Sequence, residues 1–221
     1  MQTNEKVLEL HRVNAYYIEG RKKRQILEDV NCTLYAGEIV GLLGPSGSGK
    51  STFCKCVLGL LKEYEGQVHH YTKLPQMIFQ DPYAALNPKK RIAWILEEPL
   101  KIHTNLSREE RNRHVDEMLE KVGLSSEMKD RFPRELSGGQ RQRVSIALAL
   151  LTGTKFILAD EPLSALDVTI QAQMMKLLKE LVEQENICLL LVSHDLDVVE
   201  IMCDRVLQIV EKKVVEAGKE D

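Results

Sequence analysis

The chain has 221 residues, a length that suits one large domain or a compact two-lobed unit. Hydrophobic residues make up 43% and charged residues 29%, as expected of a globular core under a soluble surface. The formal net charge of −3 and the pI near 6.1 give no overall basic field, which argues against nucleic acid as a partner. No apolar run approaches the roughly 20 residues that cross a bilayer, and the first residues lack a signal-peptide core. We therefore expect a cytosolic chain whose membrane role depends on a partner.

Apolar alternation predicts strands in the first third of the chain, at 7–13, 26–34, 38–43, 66–71 and 75–79. A helix is expected from Thr52 to Leu61, broken at Gly59. The segment 84–152 then becomes helical in pattern. In this segment Ser107 and Glu110 form a capping-box pattern, and Gly123 stands where a helix C-terminal cap belongs.

From residue 155 the alternation returns, with strands predicted at 156–159 and 187–192, helices at 168–184 and 196–203, and a hairpin at 206–215. Strands alternating with helices around a helical insertion indicate an α/β fold with a parallel core sheet. We expect a single domain in which 1–83 and 153–221 form the core and 84–152 forms a helical subdomain.

The five cysteines form no CxxC pair and leave one over, which argues against a disulfide framework or a zinc site. We expect all five to be small apolar fillers.

A glycine-rich loop, Gly44-Pro-Ser-Gly-Ser-Gly-Lys-Ser51, lies between a predicted strand and a predicted helix. Its glycines let backbone amides close around a β-phosphate, and the helix directs its positive end at the same charge. Lys50 can reach the β and γ oxygens, and the Ser51 hydroxyl can bind Mg²⁺. Alone, this pattern predicts only a P-loop NTPase. The predicted nucleotide contacts here are Gly44, Pro45, Ser46, Gly47, Ser48, Gly49, Lys50, Ser51 and Thr52.

Two adjacent carboxylates, Asp160 and Glu161, close a four-residue apolar strand and precede Pro162. The first can hold Mg²⁺ through its water shell. The second can orient, and accept a proton from, the water that attacks a γ-phosphate. An Asp-Glu pair in a solvated loop is the alternative, but the buried strand before it favours the catalytic interpretation.

The run Ser137-Gly138-Gly139-Gln140 begins a predicted helix, so its amides form a second anion site. An ordinary helix cap is the alternative. Such a cap would explain Ser137 but not the two glycines and Gln140.

The loop at 44–51, the run 136–140 and the strand with its carboxylates at 156–161, in this order, resemble the ATP-binding cassette (ABC) family. The resemblance spans nearly the whole chain. It implies a RecA-like P-loop NTPase core with a small antiparallel β region, and ATP and Mg²⁺ as cofactors of ATP hydrolysis. It also implies that two chains sandwich two ATP molecules, because the glycine-rich helix tip of each chain meets the γ-phosphate bound by the other.

Further residues take roles that the resemblance implies. Gln80 is similar to the glutamine that touches Mg²⁺ and senses the transporter partner. Asp167 ends a Ser-Ala-Leu-Asp run that resembles the loop that crosses the dimer interface in the family. His194 is similar to the switch histidine that contacts the γ-phosphate. Tyr17 resembles the aromatic residue that stacks on adenine, with the neighbouring Tyr16 as the alternative.

The stretches 79–88 and 165–173 resemble ATPases of the peptide/nickel importer group. That resemblance implies a peripheral subunit at the cytoplasmic face of the membrane. It would serve two membrane-spanning permease subunits and pair with a second ATPase subunit, identical or different. An extracellular binding protein would deliver peptides, nickel or a metal chelate.

The sequence also departs from that group. Gln80 stands only thirty positions after Lys50, so the usual strand-rich insertion is trimmed. The sequence also ends at Asp221 without the tail that peptide importers often carry. The sequence therefore favours a peptide as the transported substrate no more than nickel or a metallophore. Two alternatives are a non-transport ABC ATPase acting on DNA or ribosomes, and an exporter subunit. Non-transport ABC ATPases usually add a coiled coil, a second cassette or basic arms, and we find none of these in this sequence. The stretch 79–88 argues against an exporter subunit.

Overall fold

The computed structural model describes residues 5–20, 22–73 and 75–217, so the end of the sequence discussed above lies outside the described residues. The chain divides into two compact units. The first comprises Met1–Gln76, Lys155–Leu158 and Lys179–Asp221, and the second comprises Met77–Thr154 and Ala159–Leu178. The second unit thus contains the predicted helical subdomain together with residues 159–178.

The strands are β1 (Lys6–Glu19), β2 (Lys22–Tyr35), β3 (Ile39–Leu43), β4 (Tyr64–His70), β5 (Gln76–Ile78), β6 (Phe156–Asp160), β7 (Cys188–Val192), β8 (Arg205–Val210) and β9 (Lys213–Ala217). The helices are α1 (Lys50–Val57), α2 (Pro82–Ala85), α3 (Ile92–His103), α4 (Arg108–Lys121), α5 (Gly138–Leu150), α6 (Val168–Glu185) and α7 (Leu196–Met202). Two 3₁₀ turns, Ser126–Asp130 and Pro133–Glu135, precede α5. The α/β fold class predicted from the sequence is confirmed.

A three-stranded antiparallel sheet has the order β2-β1-β4. Strands β1 and β2 are each 14 residues long, about twice the first strand predicted at 7–13. The register shifts between Leu10 and Val13, and Arg12 has a positive φ of 48°, as in a β-bulge. The bulge interrupts the apolar alternation, which explains why the sequence pattern ends where the strand continues.

A six-stranded sheet has the order β5-β6-β7-β3-β8-β9. Strand β3 runs parallel to β7 and β8, and β8 pairs with β9 as the predicted antiparallel hairpin. Glu211 and Lys212 form its two-residue turn, with φ of 47° and 69°, the signs that a type I′ turn requires. Every residue of β7 is buried, as expected of a parallel strand covered on both faces.

Helix α1 begins at Lys50, two residues before its predicted start, because Gly49 is its N-cap with φ 115°. It ends at Val57, and Gly59 follows with φ 69°, so the predicted break is confirmed. In the second unit the predicted capping box of α4 is present. The Ser107 hydroxyl accepts from the Glu110 amide at 3.2 Å, and the Glu110 carboxylate accepts from the Ser107 amide at 2.7 Å.

All five cysteines are free thiols, and Cys54, Cys56 and Cys188 are buried. Burial raises the pKa of Cys32 and of Cys203 to about 12 and that of Cys56 to about 11. The burial of Cys54, Cys56 and Cys188 agrees with the prediction that the cysteines fill space, whereas Cys32 and Cys203 are half-buried. Within the described ranges, no helix has the length and apolar character that crossing a bilayer requires.

Candidate active site

The loop between β3 and α1 closes around a lysine. The Lys50 ammonium group donates to the carbonyl oxygens of Gly44, at 2.5 Å, and Pro45, at 3.1 Å. A Cβ at Gly44 would lie 2.6 Å from the Ser48 hydroxyl oxygen, and one at Gly49 would lie 3.1 Å from a methyl carbon of Ile26. Side chains at these two positions would therefore open the loop.

The contents of this loop fit a polyphosphate. The Lys50 ammonium group supplies a positive charge at the loop, and α1 begins at the same residue, where free backbone amides and the helix dipole also favour an anion. The Ser48 hydroxyl is buried and has no hydrogen-bond partner among the described residues, so the loop holds a polar group still to be satisfied.

The two neighbouring tyrosines of β1 have different partners. The Tyr16 hydroxyl donates to the Glu65 carboxylate at 3.0 Å, and the Lys23 ammonium group lies 3.7 Å from the centre of the Tyr16 ring. The Tyr17 hydroxyl instead accepts from the Lys55 ammonium group of α1 at 3.4 Å. Successive side chains of a strand point to opposite faces, so only Tyr17 is directed toward the helix that follows the glycine-rich loop.

His194 follows β7, two residues beyond the last strand residue, and its side chain is exposed. Strand β7 is parallel to β3, so the histidine and the glycine-rich loop both follow carboxyl ends of strands at one edge of the sheet. Asp195 fixes the connection by capping α7 through the amides of Asp197 and Val198, at 3.0 and 3.3 Å.

In the second unit, Gln80 and Glu161 are directly hydrogen-bonded. The Gln80 side-chain amide donates to the Glu161 carboxylate at 3.2 Å and to the Ser164 hydroxyl at 3.4 Å. The Ser164 hydroxyl in turn donates to the Glu161 carbonyl oxygen at 3.0 Å. We predicted no separate role for Ser164 from the sequence. Its position three residues after Glu161 was the signal that could have indicated this contact. Glu161 also has a positive φ of 47° immediately before Pro162.

The residues predicted to hold Mg²⁺ carry suitable donors. The Gln80 side-chain nitrogen donates to two acceptors, and these two bonds leave its amide oxygen available as a ligand. Asp160, the last residue of β6, carries a carboxylate, and Ser51, in α1, carries a hydroxyl. Oxygen donors of these kinds are those that Mg²⁺ prefers. The described part of the chain has no cluster of three His, Cys, Asp or Glu side chains that could hold a metal.

The start of α5 is a complete capping box. The Ser137 hydroxyl accepts from the Gln140 amide at 3.2 Å, and the Gln140 side-chain oxygen accepts from the Ser137 amide at 2.9 Å. A Cβ at Gly139 would lie 3.0 Å from a methyl carbon of Ile170, so close packing requires that glycine. The expectation that a helix cap leaves Gln140 unexplained is therefore wrong, because the side chain of Gln140 is part of the cap. The glycine at 138 has only ordinary contact there, at 4.0 Å from Leu166.

Asp167 also has a local structural role. Its carboxylate accepts from the Ile170 amide at 3.0 Å, as an N-cap of α6 does. The Gln171 side chain donates to the Leu163 carbonyl oxygen at 3.0 Å, so two hydrogen bonds fix the loop between Glu161 and α6.

Comparison with known proteins decides the family. The family described as ABC transporter matches residues 27–164, from β2 to Ser164. The chain belongs to the ABC transporter family. This ABC chain is 40% identical to the oligopeptide transport ATP-binding protein OppF of Bacillus subtilis, over 98% of this chain and 77% of that protein. It is 41% identical to AppF of the same organism, over 91% of this chain and 68% of AppF. It is 43% identical to OppF of Escherichia coli, over 93% and 66% of the two chains.

Solved ABC structures have the same fold. The structure of cbiO1 from Clostridium perfringens, part of the ABC transporter complex cbiONQ, superposes with a TM-score of 0.83 at 27% identity, covering 96% of this chain and 87% of cbiO1. The dimeric cassette MJ0796, in a post-hydrolysis state with ADP and Pi, superposes with a TM-score of 0.79 at 31% identity, covering 95% and 97% of the two chains. The ABC chain is thus an ATPase with a P-loop NTPase fold.

Proposed function

We propose that this ABC ATPase is the ATP-hydrolysing subunit of a peptide importer. The observation that carries the proposal is the hydrogen bond from Gln80 to Glu161. It connects the carboxylate suited to activate water with the stretch 79–88, which resembles the peptide/nickel importer group. The relatives named above are oligopeptide transport ATP-binding proteins, which favours peptides over nickel or a metal chelate.

Residues of the first unit would bind the nucleotide. The amides of Gly44–Ser51 would surround the phosphates, and Lys50 would neutralise charge on the β and γ oxygens. Thr52 would contribute its hydroxyl group, Tyr17 would stack on adenine, and His194 would contact the γ-phosphate.

Residues of the second unit would supply the hydrolytic groups. Glu161 would accept a proton from the attacking water, and Gln80 would hold that carboxylate in place. Asp160, the Gln80 amide oxygen and the Ser51 hydroxyl would hold Mg²⁺. When bound, Mg²⁺ neutralises charge that develops on the phosphate oxygens.

Two chains would act together. The Ser137, Gly138, Gly139 and Gln140 group would face the γ-phosphate bound by the partner subunit, and Asp167 would lie at that interface. This proposal places the dimer, of identical or different ATPase subunits, at the cytoplasmic face of the membrane against two permease subunits. A binding protein outside the cell would deliver the cargo.

The test is transport by a reconstituted complex. The chain is co-expressed with permease subunits of the peptide/nickel importer group and reconstituted into proteoliposomes with an extracellular binding protein of the same group. Uptake of labelled oligopeptides, of nickel and of a nickel chelate is then measured with ATP inside. We expect peptide uptake that Glu161→Gln abolishes and that Glu183→Gln, an exposed α6 control, retains.

Other outcomes identify the alternatives. Uptake of nickel or its chelate alone would support the importer role but contradict the assignment of peptides as the cargo. Peptide release from vesicles loaded with peptide would indicate an exporter. Co-purification with ribosomes or DNA instead of permeases would reject transport.

A further inference from the structure

The phenol oxygen of Tyr17 accepts a hydrogen bond from a side chain of α1. The Lys55 ammonium group donates to it at 3.4 Å and lies 5.7 Å from the ring centre, beside the oxygen end of the ring. A hydrogen bond from Thr52 is the main cause that lowers the pKa of Tyr17, burial opposes the lowering, and Lys55 adds to it.

The two α1 residues are suited to act together. Thr52 and Lys55 are three positions apart, so they project from one face of the helix. Thr52 is buried, with 4% of its surface exposed, whereas Lys55 is exposed. The lysine can therefore be replaced without disturbing the core.

The same helix begins at Lys50 and Ser51, the residues proposed to bind phosphate. A ring attached to α1 would move with the phosphate loop as one body. Tyr16 has no such attachment, because its hydroxyl donates to Glu65 of β4.

We infer that Lys55 is a positioning residue for nucleotide binding. It fixes Tyr17 to α1 through the phenol oxygen, so that the adenine-stacking ring stays at a constant distance from the phosphate loop. The inference rests on the proposed stacking role of Tyr17. Lys55 acts through Tyr17 and does not touch the nucleotide. The hydroxyl group of Tyr17, which stacking alone would not need, is the group that makes the attachment.

The test compares two probes on the full chain, Mg-ADP and inorganic tripolyphosphate, by equilibrium binding. Lys55→Met should weaken Mg-ADP binding about three- to tenfold, the range of one hydrogen bond with a cation near an aromatic ring. Binding of tripolyphosphate, which has no base, should stay unchanged and so report an intact phosphate loop. Lys55→Arg should restore Mg-ADP binding, and Lys62→Met, an exposed lysine beyond α1, should have no effect.

A double substitution separates the attachment from other causes. Tyr17→Phe should lose as much Mg-ADP affinity as Lys55→Met, and the double variant should lose no more than either. Equal weakening of both probes by Lys55→Met, or additive losses in the double variant, would overturn the inference in favour of a direct effect of charge on phosphate. If Tyr17→Ala leaves Mg-ADP binding intact, the stacking role fails and the positioning role with it. Hydrolysis by the unaltered chain still tests the ATPase proposal separately.

Discussion

The Gln80 side-chain amide donates to the Glu161 carboxylate across 3.2 Å, although 81 positions separate the two residues in the chain. Ser164 completes a triangle by accepting from Gln80 and donating to the Glu161 carbonyl oxygen. The carboxylate proposed to activate water is therefore oriented by a residue of the stretch 79–88, which resembles the peptide/nickel importer group. A displacement of that segment would change the geometry of the base directly.

Replacing Gln80 by alanine should slow hydrolysis more than it weakens ATP binding, because it removes the hydrogen bond to Glu161 and only one of three proposed Mg²⁺ donors. A hydrogen bond to a charged group is worth about 1.5–3 kcal/mol, so kcat should fall roughly ten- to a hundredfold. Steady-state kinetics should give a larger change in kcat than in KM for ATP, with Gln173→Ala on the exposed face of α6 as the control. A rise in KM at constant kcat would mean that Gln80 binds the nucleotide and does not orient the base.

The Glu161→Gln variant should bind ATP and fail to turn it over. The amide keeps the shape of the side chain but cannot accept the proton, so the rate should fall about 10²- to 10⁴-fold. Because ATP persists, the variant should accumulate as a dimer, measurable by light scattering with Mg-ATP. Full residual turnover, or a monomer in saturating ATP, would contradict the assignment.

The two capping boxes allow structural and functional roles of Ser137 to be separated. Ser137→Ala and Ser107→Ala remove the same hydroxyl cap from α5 and α4, so each should lower the free energy of unfolding by about 1 kcal/mol. Only Ser137→Ala should also reduce ATPase activity, by about tenfold or more, because its hydroxyl is proposed to serve the partner's phosphate.

Chemical denaturation and ATPase assays on both variants provide the comparison. Equal activity losses in the two variants would assign Ser137 to helix capping alone.

The cysteines should resist modification in the folded protein. Burial raises the pKa of Cys32 and Cys203 to about 12 and of Cys56 to about 11, so at pH 8 almost no thiolate is present. Reaction with a disulfide reagent at pH 8 should be slow until denaturant is added, and should accelerate as pH rises toward 11. Glu183→Cys, on the exposed surface of α6, provides the fast-reacting control. Fast reaction of the native thiols at pH 8 would contradict this prediction.

The features that the sequence predicted well are local ones. The capping box of Ser107 and Glu110 joins residues three apart, and the glycine-rich loop is confined to eight consecutive positions. Each is encoded by backbone geometry that needs no distant partner. The buried strands β3 and β7 were also predictable, because parallel strands covered on both faces are continuous apolar runs.

The long-range pairings could not be predicted in the same way. Tyr16 and Tyr17 are identical in type and adjacent, and only the pairing of β1 with β4 and its position beside α1 distinguish them. The contact of Gln80 with Ser164 spans 84 positions. The wrong prediction for Gln140 has a different origin, because the partner of Gln140 is local. Its side chain accepts from the backbone amide of Ser137, three residues earlier, in a capping-box pattern that the sequence already contains.

The backbone at Glu161 implies a trade-off between stability and activity. A left-handed φ of 47° in a residue with a long side chain costs on the order of 1 kcal/mol, a cost that glycine would not bear. Glu161→Gly should therefore melt at a higher temperature than Glu161→Gln while being equally inactive. Selection of this protein for thermostability alone would therefore favour glycine at position 161 and would yield stable variants without ATPase activity.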